Sequence, residues 1–200
     1  MKKRILYYGI GAVVFLVIFY IALFAGTDDW KVKLPVLSYV KPFHLVDQMG
    51  DSISDKDLLG KVSVVSFFFT TCPGICPRMN TNLRTDIYDS LRSTPNFQMV
   101  SCTSDPDRDT VGRMKHYADS LGAGGNWLFL TGPKESLYRA ARESFLLDDE
   151  NNNRQSIDQQ FIHTQLLALV DQDGRVRGIY DGLSQKELAK LGKDIHKLLE

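Results

Sequence analysis

Hydrophobic and polar positions fall along the chain in two regimes. Residues 5–25 are an unbroken run of 21 uncharged residues, apolar apart from Gly9 and Gly11. At 1.5 Å per helical residue, that length matches a bilayer core of about 30 Å. From residue 26 onward the pattern becomes short apolar runs alternating with amphipathic stretches. Residues 26–42, with Pro35 and Pro42, read as a linker. Residues 43–200 read as one folded domain. Phe43–Val46 and Ser52–Ile53 flank Gln48-Met49-Gly50-Asp51, the pattern of a small hairpin. Ser54 suits the cap of a short helix through Leu59. Lys61–Thr70 is rich in β-branched and aromatic residues without alternation, which predicts a strand buried on both faces. The pattern then predicts a helix over Asn80–Leu91, a strand over Phe97–Thr103 and a helix over Asp109–Leu121 capped by Asp109. A strand over Trp127–Leu130 and a helix over Pro133–Phe145, opened by its proline, follow. Leu146–Gln160 is polar and reads as a solvated loop. Leu166–Val170 and Val176–Tyr180 flank Asp171-Gln172-Asp173-Gly174, a hairpin signal, and Ser184–Leu199 closes as an amphipathic helix.

That order describes an α/β sandwich, a mixed sheet flanked by helices whose last two strands are antiparallel. It is the thioredoxin-like arrangement, here with an N-terminal transmembrane helix over about residues 5–25. A cleaved signal peptide has an apolar core of about 7–15 residues and a small-x-small cleavage site. This run is longer, and Ala22-Leu23-Phe24-Ala25 spaces its small residues differently, so residues 1–25 are expected to remain as an anchor. Lys2, Lys3 and Arg4 should stay cytoplasmic, which places residues 26–200 on the far side. Tyr7, Tyr8 and Trp30 would lie near the two interfaces. The expectation is a single-pass protein with an extracytoplasmic domain, as in a bacterial inner membrane facing the periplasm, where disulfides persist.

Composition narrows the function classes. The 200 residues carry 24 basic and 24 acidic side chains, and without residues 1–25 the remainder is net −3. No basic excess supports nucleic-acid binding. Three cysteines exclude a disulfide-dense mini-domain, and the single long apolar run excludes a multi-span protein.

The chemistry concentrates in Thr71-Cys72-Pro73-Gly74-Ile75-Cys76-Pro77, directly after the buried strand and at the mouth of a helix. Spacing of four residues places both sulfurs on one face of a helical turn. A helix N-terminus favours negative charge and lowers thiol pKa values. Two close thiolates can form a disulfide or hold a soft metal such as Cu(I). Redox enzymes of the thioredoxin class place a cis-proline opposite their cysteines, and no proline follows Pro133. Near that place stands Phe161-Ile162-His163-Thr164. An imidazole facing two thiolates makes a ligand set suited to both copper oxidation states.

With these motifs the chain resembles the Sco/SenC family, membrane-anchored thioredoxin-like proteins that deliver copper to the dinuclear copper site of cytochrome c oxidase. The resemblance rests on residues 71–77, on Ser104-Asp105-Pro106-Asp107-Arg108-Asp109-Thr110, and on His163 followed by Leu169-Val170-Asp171 and Gly174. It implies one copper ion per domain, bound as Cu(I) or Cu(II) by Cys72, Cys76 and His163. It also implies a copper-accepting oxidase subunit as partner, with other copper chaperones or thiol reductants as further partners. The chain departs from the family in two places: Ile162 stands where relatives often have an acidic residue, and Cys102 is additional. The competing reading is a thiol–disulfide oxidoreductase in which Cys72 and Cys76 are the catalytic pair. A third reading, a thiol peroxidase on the same fold, is disfavoured because the chain has no separate peroxidatic cysteine motif.

The remaining candidates have plainer readings. Cys102 lies in a predicted strand as a small buried hydrophobe. Asp105, Arg108 and Asp109 form a charged loop expected to cap and pair internally, with docking of a partner as the sharper alternative. His44, His116 and His196 have no convergent partners. Asp148-Asp149-Glu150 reads as solvated.

Overall fold

The computed structural model describes residues 2–24, 34–148 and 156–200. Trp30, Asp149 and Glu150 lie outside them. Contacts divide the chain into residues 1–33 and 34–200. In the first unit, helix α1 covers Lys2–Phe24. No helix among the described residues is long and apolar enough to cross a membrane.

The second unit is built on β4 (Val62–Phe68), every residue of which is buried. Its continuous apolar run has the cause read from sequence, because both faces are covered by helices. Strand β5 (Phe97–Thr103) pairs with β4 in parallel, and β6 (Trp127–Leu130) pairs with β5 in parallel. On the other side β7 (Leu166–Val170) runs antiparallel to β4, and β8 (Arg175–Asp181) antiparallel to β7. With the edge strand β1 (Ser38–Tyr39), the six-stranded order is β1-β8-β7-β4-β5-β6, a mixed sheet. Strand β1 lies beside β8, in a stretch that the sequence pattern reads as linker. Prolines at 35 and 42 flank this short edge strand and remove no ladder hydrogen bond from it. Arg177 holds the entry to β1 by donating to the Leu34 and Pro35 carbonyls while pairing with Asp171 at 2.6 Å. A separate hairpin joins β2 (His44–Val46) and β3 (Ser52–Ser54), and Asp57 then accepts from the Ser54 amide and hydroxyl at 2.8 Å each.

Several helices differ from their predicted starts. Helix α2 covers Ile75–Asn82, opening at the cysteine motif and not at Asn80. It continues through a wider π turn, Leu83–Tyr88, into α3 (Asp89–Leu91). Helix α4 is Val111–Leu121, with Thr110 at its cap position and Asp109 buried beneath. Asp109 therefore does not cap the helix; its carboxylate is committed to Thr70 and Thr103. Helix α5 (Lys134–Arg139) extends as a π turn to Ser144. Helix α6 (Gln185–Leu199) is capped by Ser184, which accepts from the Glu187 amide.

The sheet separates two cores. One gathers Phe68, Met79, Leu83, Trp127, Tyr180 and Leu191 beneath α2, α4 and α6; the other gathers Phe43, Phe67, Tyr138, Phe145 and Ile162 on the opposite face. Gly182 lies where the end of β8 meets α2. A Cβ there would meet Met79 Cγ at 2.8 Å and the Gln165 carbonyl at 3.1 Å. Gly182→Ala is therefore expected to cost about 1–3 kcal/mol through overpacking, read as a lowered thermal midpoint; an unchanged midpoint would count against the contact.

Candidate metal centre

Strand β4 ends at Phe68, and the chain turns back before entering α2. The Cys72 amide donates to the Phe69 carbonyl at 3.2 Å, which closes the turn. Gly74 occupies the cap position of α2 and offers no side chain. The free amides of the first turn find another acceptor: the Cys76 amide donates to Cys72 Sγ at 3.5 Å. Cys72 thus sits outside the helix with its sulfur at the helix mouth, and Cys76 lies in the first turn. The two sulfurs converge as a loop-to-helix pair and not as neighbours on one helical face.

Opposite them, the segment before β7 brings in His163, whose Nε2 lies 3.7 Å from Cys72 Sγ. The ligand atoms of Cys72, Cys76 and His163 all lie within 4.8 Å of one another. Both cysteines are buried and the histidine is exposed, so the cluster opens to solvent on the imidazole side. Phe68 and Met79 share the apolar core that lies behind the sulfurs. Two soft thiolates and one imidazole form a donor set that fits copper.

The cysteines differ electrostatically. Burial acts to raise the Cys72 thiol, but hydrogen bonds from the Cys76 thiol and the Gly74, Cys76 and Ile75 amides outweigh it. The net shift is downward from the ordinary thiol value. For Cys76, burial dominates and the neighbouring Cys72 sulfur adds to it, pushing the thiol up to about 12. Cys72 is the group that ionises first. In the reduced metal-free protein, iodoacetamide should label Cys72 first, at a pH below that of an ordinary thiol. Cys76 should react only in strong alkali. Mass spectrometry after short pulses across pH would show this, and preferential labelling of Cys76 would contradict it.

Aromatic residues that the sequence pattern assigned to a buried strand or left unread frame the imidazole. Phe69 packs edge-on against His163 at 5.5 Å and against Phe161 at 4.8 Å. The sequence pattern predicts a strand through Thr70; because β4 stops at Phe68, Phe69 is turned toward the site. On the other side of His163, Ile162 is buried in the second core, and its amide donates to the Tyr138 hydroxyl at 3.3 Å. The Tyr138 hydroxyl shares its one hydrogen between the Ser104 carbonyl at 2.8 Å and the Gln160 carbonyl at 3.2 Å. Arg142 binds Gln160 Oε1 and pairs with Asp148 at 2.7 Å. Asp148 is buried in this pair, which corrects its reading as part of a solvated run.

The other candidates do not reach the cluster. Cys102 is buried in the second core, across the sheet from the pair, and burial pushes its thiol up to about 12. Asp105 pairs with Arg108 at 3.7 Å. Among the described residues, His44, His116 and His196 join no group able to hold a metal.

Comparison with known proteins gives one answer. The SCO1/SenC family profile matches residues 33–200. A SCO2-like protein of Rickettsia prowazekii is 31% identical over 157 residues, covering 76% of this chain and 75% of its own. The crystal structure of a SCO1/SenC family lipoprotein from Bacillus anthracis matches with a TM-score of 0.70 at 29% identity, covering 84% of this chain and 100% of that one. The crystal structure of yeast Sco1 with copper bound matches with a TM-score of 0.59 at 27% identity, covering 80% and 93%. A profile that runs from the start of the folded unit to the last residue, with sequence and structural relatives agreeing along the same span, leaves a single assignment: the chain belongs to the SCO1/SenC family.

Proposed function

We propose that the protein is a membrane-anchored copper metallochaperone. Its domain binds one copper ion through Cys72, Cys76 and His163 and passes it to the dinuclear copper site of cytochrome c oxidase. The observation that carries this reading is the convergence of two thiol sulfurs and an imidazole within 4.8 Å. Thiolates hold Cu(I), while the added nitrogen accommodates Cu(II). Burial behind the sulfurs and exposure at the imidazole suit transfer by ligand exchange. An incoming donor reaches the ion from the His163 side while both sulfurs still hold it. Copper in the yeast relative supports the same cargo here.

Helix α1 would serve as the anchor, with Lys2, Lys3 and Arg4 cytoplasmic and the domain across the membrane. A reporter fused after Glu200 should be active only outside the cytoplasm. Activity confined to the cytoplasm, or a mature chain starting near Gly26, would overturn the anchor.

The ionisation difference between the cysteines favours a second reading, reduction of a partner's disulfide. The Cys72 thiolate would attack one sulfur of that disulfide, and the other would leave as a thiolate that takes a proton. Cys76, on losing its proton, would then displace the second sulfur. The partner gains two electrons and the Cys72–Cys76 pair becomes a disulfide. One set of measurements separates the two: copper stoichiometry and disulfide-reducing rate of the reduced full chain in detergent, for wild type and His163→Ala. Loss of Cu(II) binding with an unchanged rate supports delivery. Unchanged binding of Cu(II) with an unchanged spectrum would put the oxidoreductase first.

A further inference from the structure

Asp109 is a fully buried carboxylate. Among the described residues no cation pairs with it, and it caps no helix. A charge withdrawn from water costs several kcal/mol unless hydrogen bonds compensate it. Three donors do so here. The Thr103 hydroxyl donates to Oδ2 at 2.6 Å, the Thr70 amide to Oδ2 at 3.0 Å, and the Thr70 hydroxyl to Oδ1 at 2.5 Å. Thr103 Oγ1 accepts from the Asp105 amide, so its own hydrogen is left for the carboxylate. Two of the three bonds go to one residue, Thr70, which lies 39 positions earlier in the chain.

Thr70 is where the backbone has left β4 and not yet entered α2. The two contacts that bracket it, Ser104 amide to Phe68 carbonyl at 2.8 Å and Cys72 amide to Phe69 carbonyl at 3.2 Å, hold its neighbours and not Thr70 itself. The geometry points to Asp109 as a positioning residue for the cysteine loop. Acting through Thr70, it fixes the exit from β4 so that Cys72 Sγ meets both the Cys76 amide and His163 Nε2. A carboxylate suits this task better than a neutral acceptor, because it accepts from the amide and the hydroxyl of one residue together, and such charge-assisted bonds are about twice as strong as neutral ones. The loop is thereby set before a ligand arrives, and loss of such outer support in other metal sites costs about 10–100-fold in affinity.

The test uses the reduced full chain in detergent. Hydrogen exchange is followed at the amides of residues 70–76 without metal, and Cu(I) affinity is measured against a chromophoric chelator. The affinity arm rests on the proposed copper binding; the exchange arm does not. Asp109→Asn and Thr70→Val should speed exchange at 70–76 by about tenfold and weaken Cu(I) binding by about tenfold, while exchange in α6 stays as in wild type. Thr103→Val removes a hydroxyl from the same carboxylate but not from the cysteine segment. It should lower the thermal midpoint and leave both readouts at 70–76 as in wild type. Equal behaviour of Thr70→Val and Thr103→Val, or unchanged exchange at 70–76, would overturn the assignment. If Asp109→Asn fails to fold, the two threonine variants decide alone. If the wild type takes up no copper, the metal reading fails and the exchange arm still decides the positioning role.

Discussion

Cys72→Ser and Cys76→Ser should each abolish tight Cu(I) binding, a loss well beyond the roughly 10–100-fold that follows removal of an outer-shell partner. Each sulfur is a soft donor for a soft ion, and a serine oxygen is a poor substitute. The third cysteine, Cys102, does not replace it, since it is buried in the core on the opposite face of the sheet. His163→Ala should act unequally. Cu(I) can stay between two sulfurs in a near-linear arrangement, whereas Cu(II) prefers a tetragonal set and needs the nitrogen. The Cu(II) form of the wild type should show a visible thiolate-to-copper band that disappears or shifts in His163→Ala. Binding should also fall at acid pH. Cys76, held up to about 12, gives up a proton whenever metal binds, so each step down in pH adds competition. Copper titrations with absorption spectra at several pH values measure all of this. A cysteine variant that keeps wild-type Cu(I) affinity would remove that sulfur from the ligand set.

Asp148→Ala should cause the largest loss of stability. The Arg142–Asp148 pair is closed at 2.7 Å with side-chain exposures of 8% and 7%. Removing one member of a buried pair leaves the other charge uncompensated, at about 3–5 kcal/mol. For a chain of this size each kcal/mol is worth about 2–4 °C, so the midpoint should fall by about 6–20 °C. Replacing the pair together, Arg142→Met with Asp148→Leu, should recover much of the loss, because the cost lies in the stranded charge. The damage should reach the histidine segment, since Arg142 also holds Gln160, and Gln160 and Ile162 both meet the Tyr138 hydroxyl. Thermal unfolding of the wild type and both variants checks this; a fall of under about 2 °C in Asp148→Ala would show the pair to be dispensable.

Much of the site was legible because its signals are local. The cysteine pair follows an apolar strand and opens a helix, and the last hairpin is announced by Asp171-Gln172-Asp173-Gly174. Where the structure departs from the sequence pattern, a local preference meets a distant partner. Asp109 stands where a helix cap belongs, yet β4 and β5 run side by side and their ends offer it Thr70 and Thr103, which occupy it instead. Asp148 belongs to an acidic, polar run, yet Arg142 draws it into a buried pair.

By itself the sequence determined the strand–helix order, the two-faced burial of β4, and which residues carry soft-metal chemistry, because periodicity and residue type act over a few neighbouring positions. Only the tertiary structure decided that His163 Nε2, 91 positions from Cys72 in the chain, comes within 3.7 Å of its sulfur, that Cys102 falls on the opposite face of the sheet, and that Phe69, Tyr138 and Asp109 contact the two segments that carry these residues. Those outcomes depend on which strands pair and which face each residue turns to, and no residue's own preference encodes a contact that exists only once the sheet has formed.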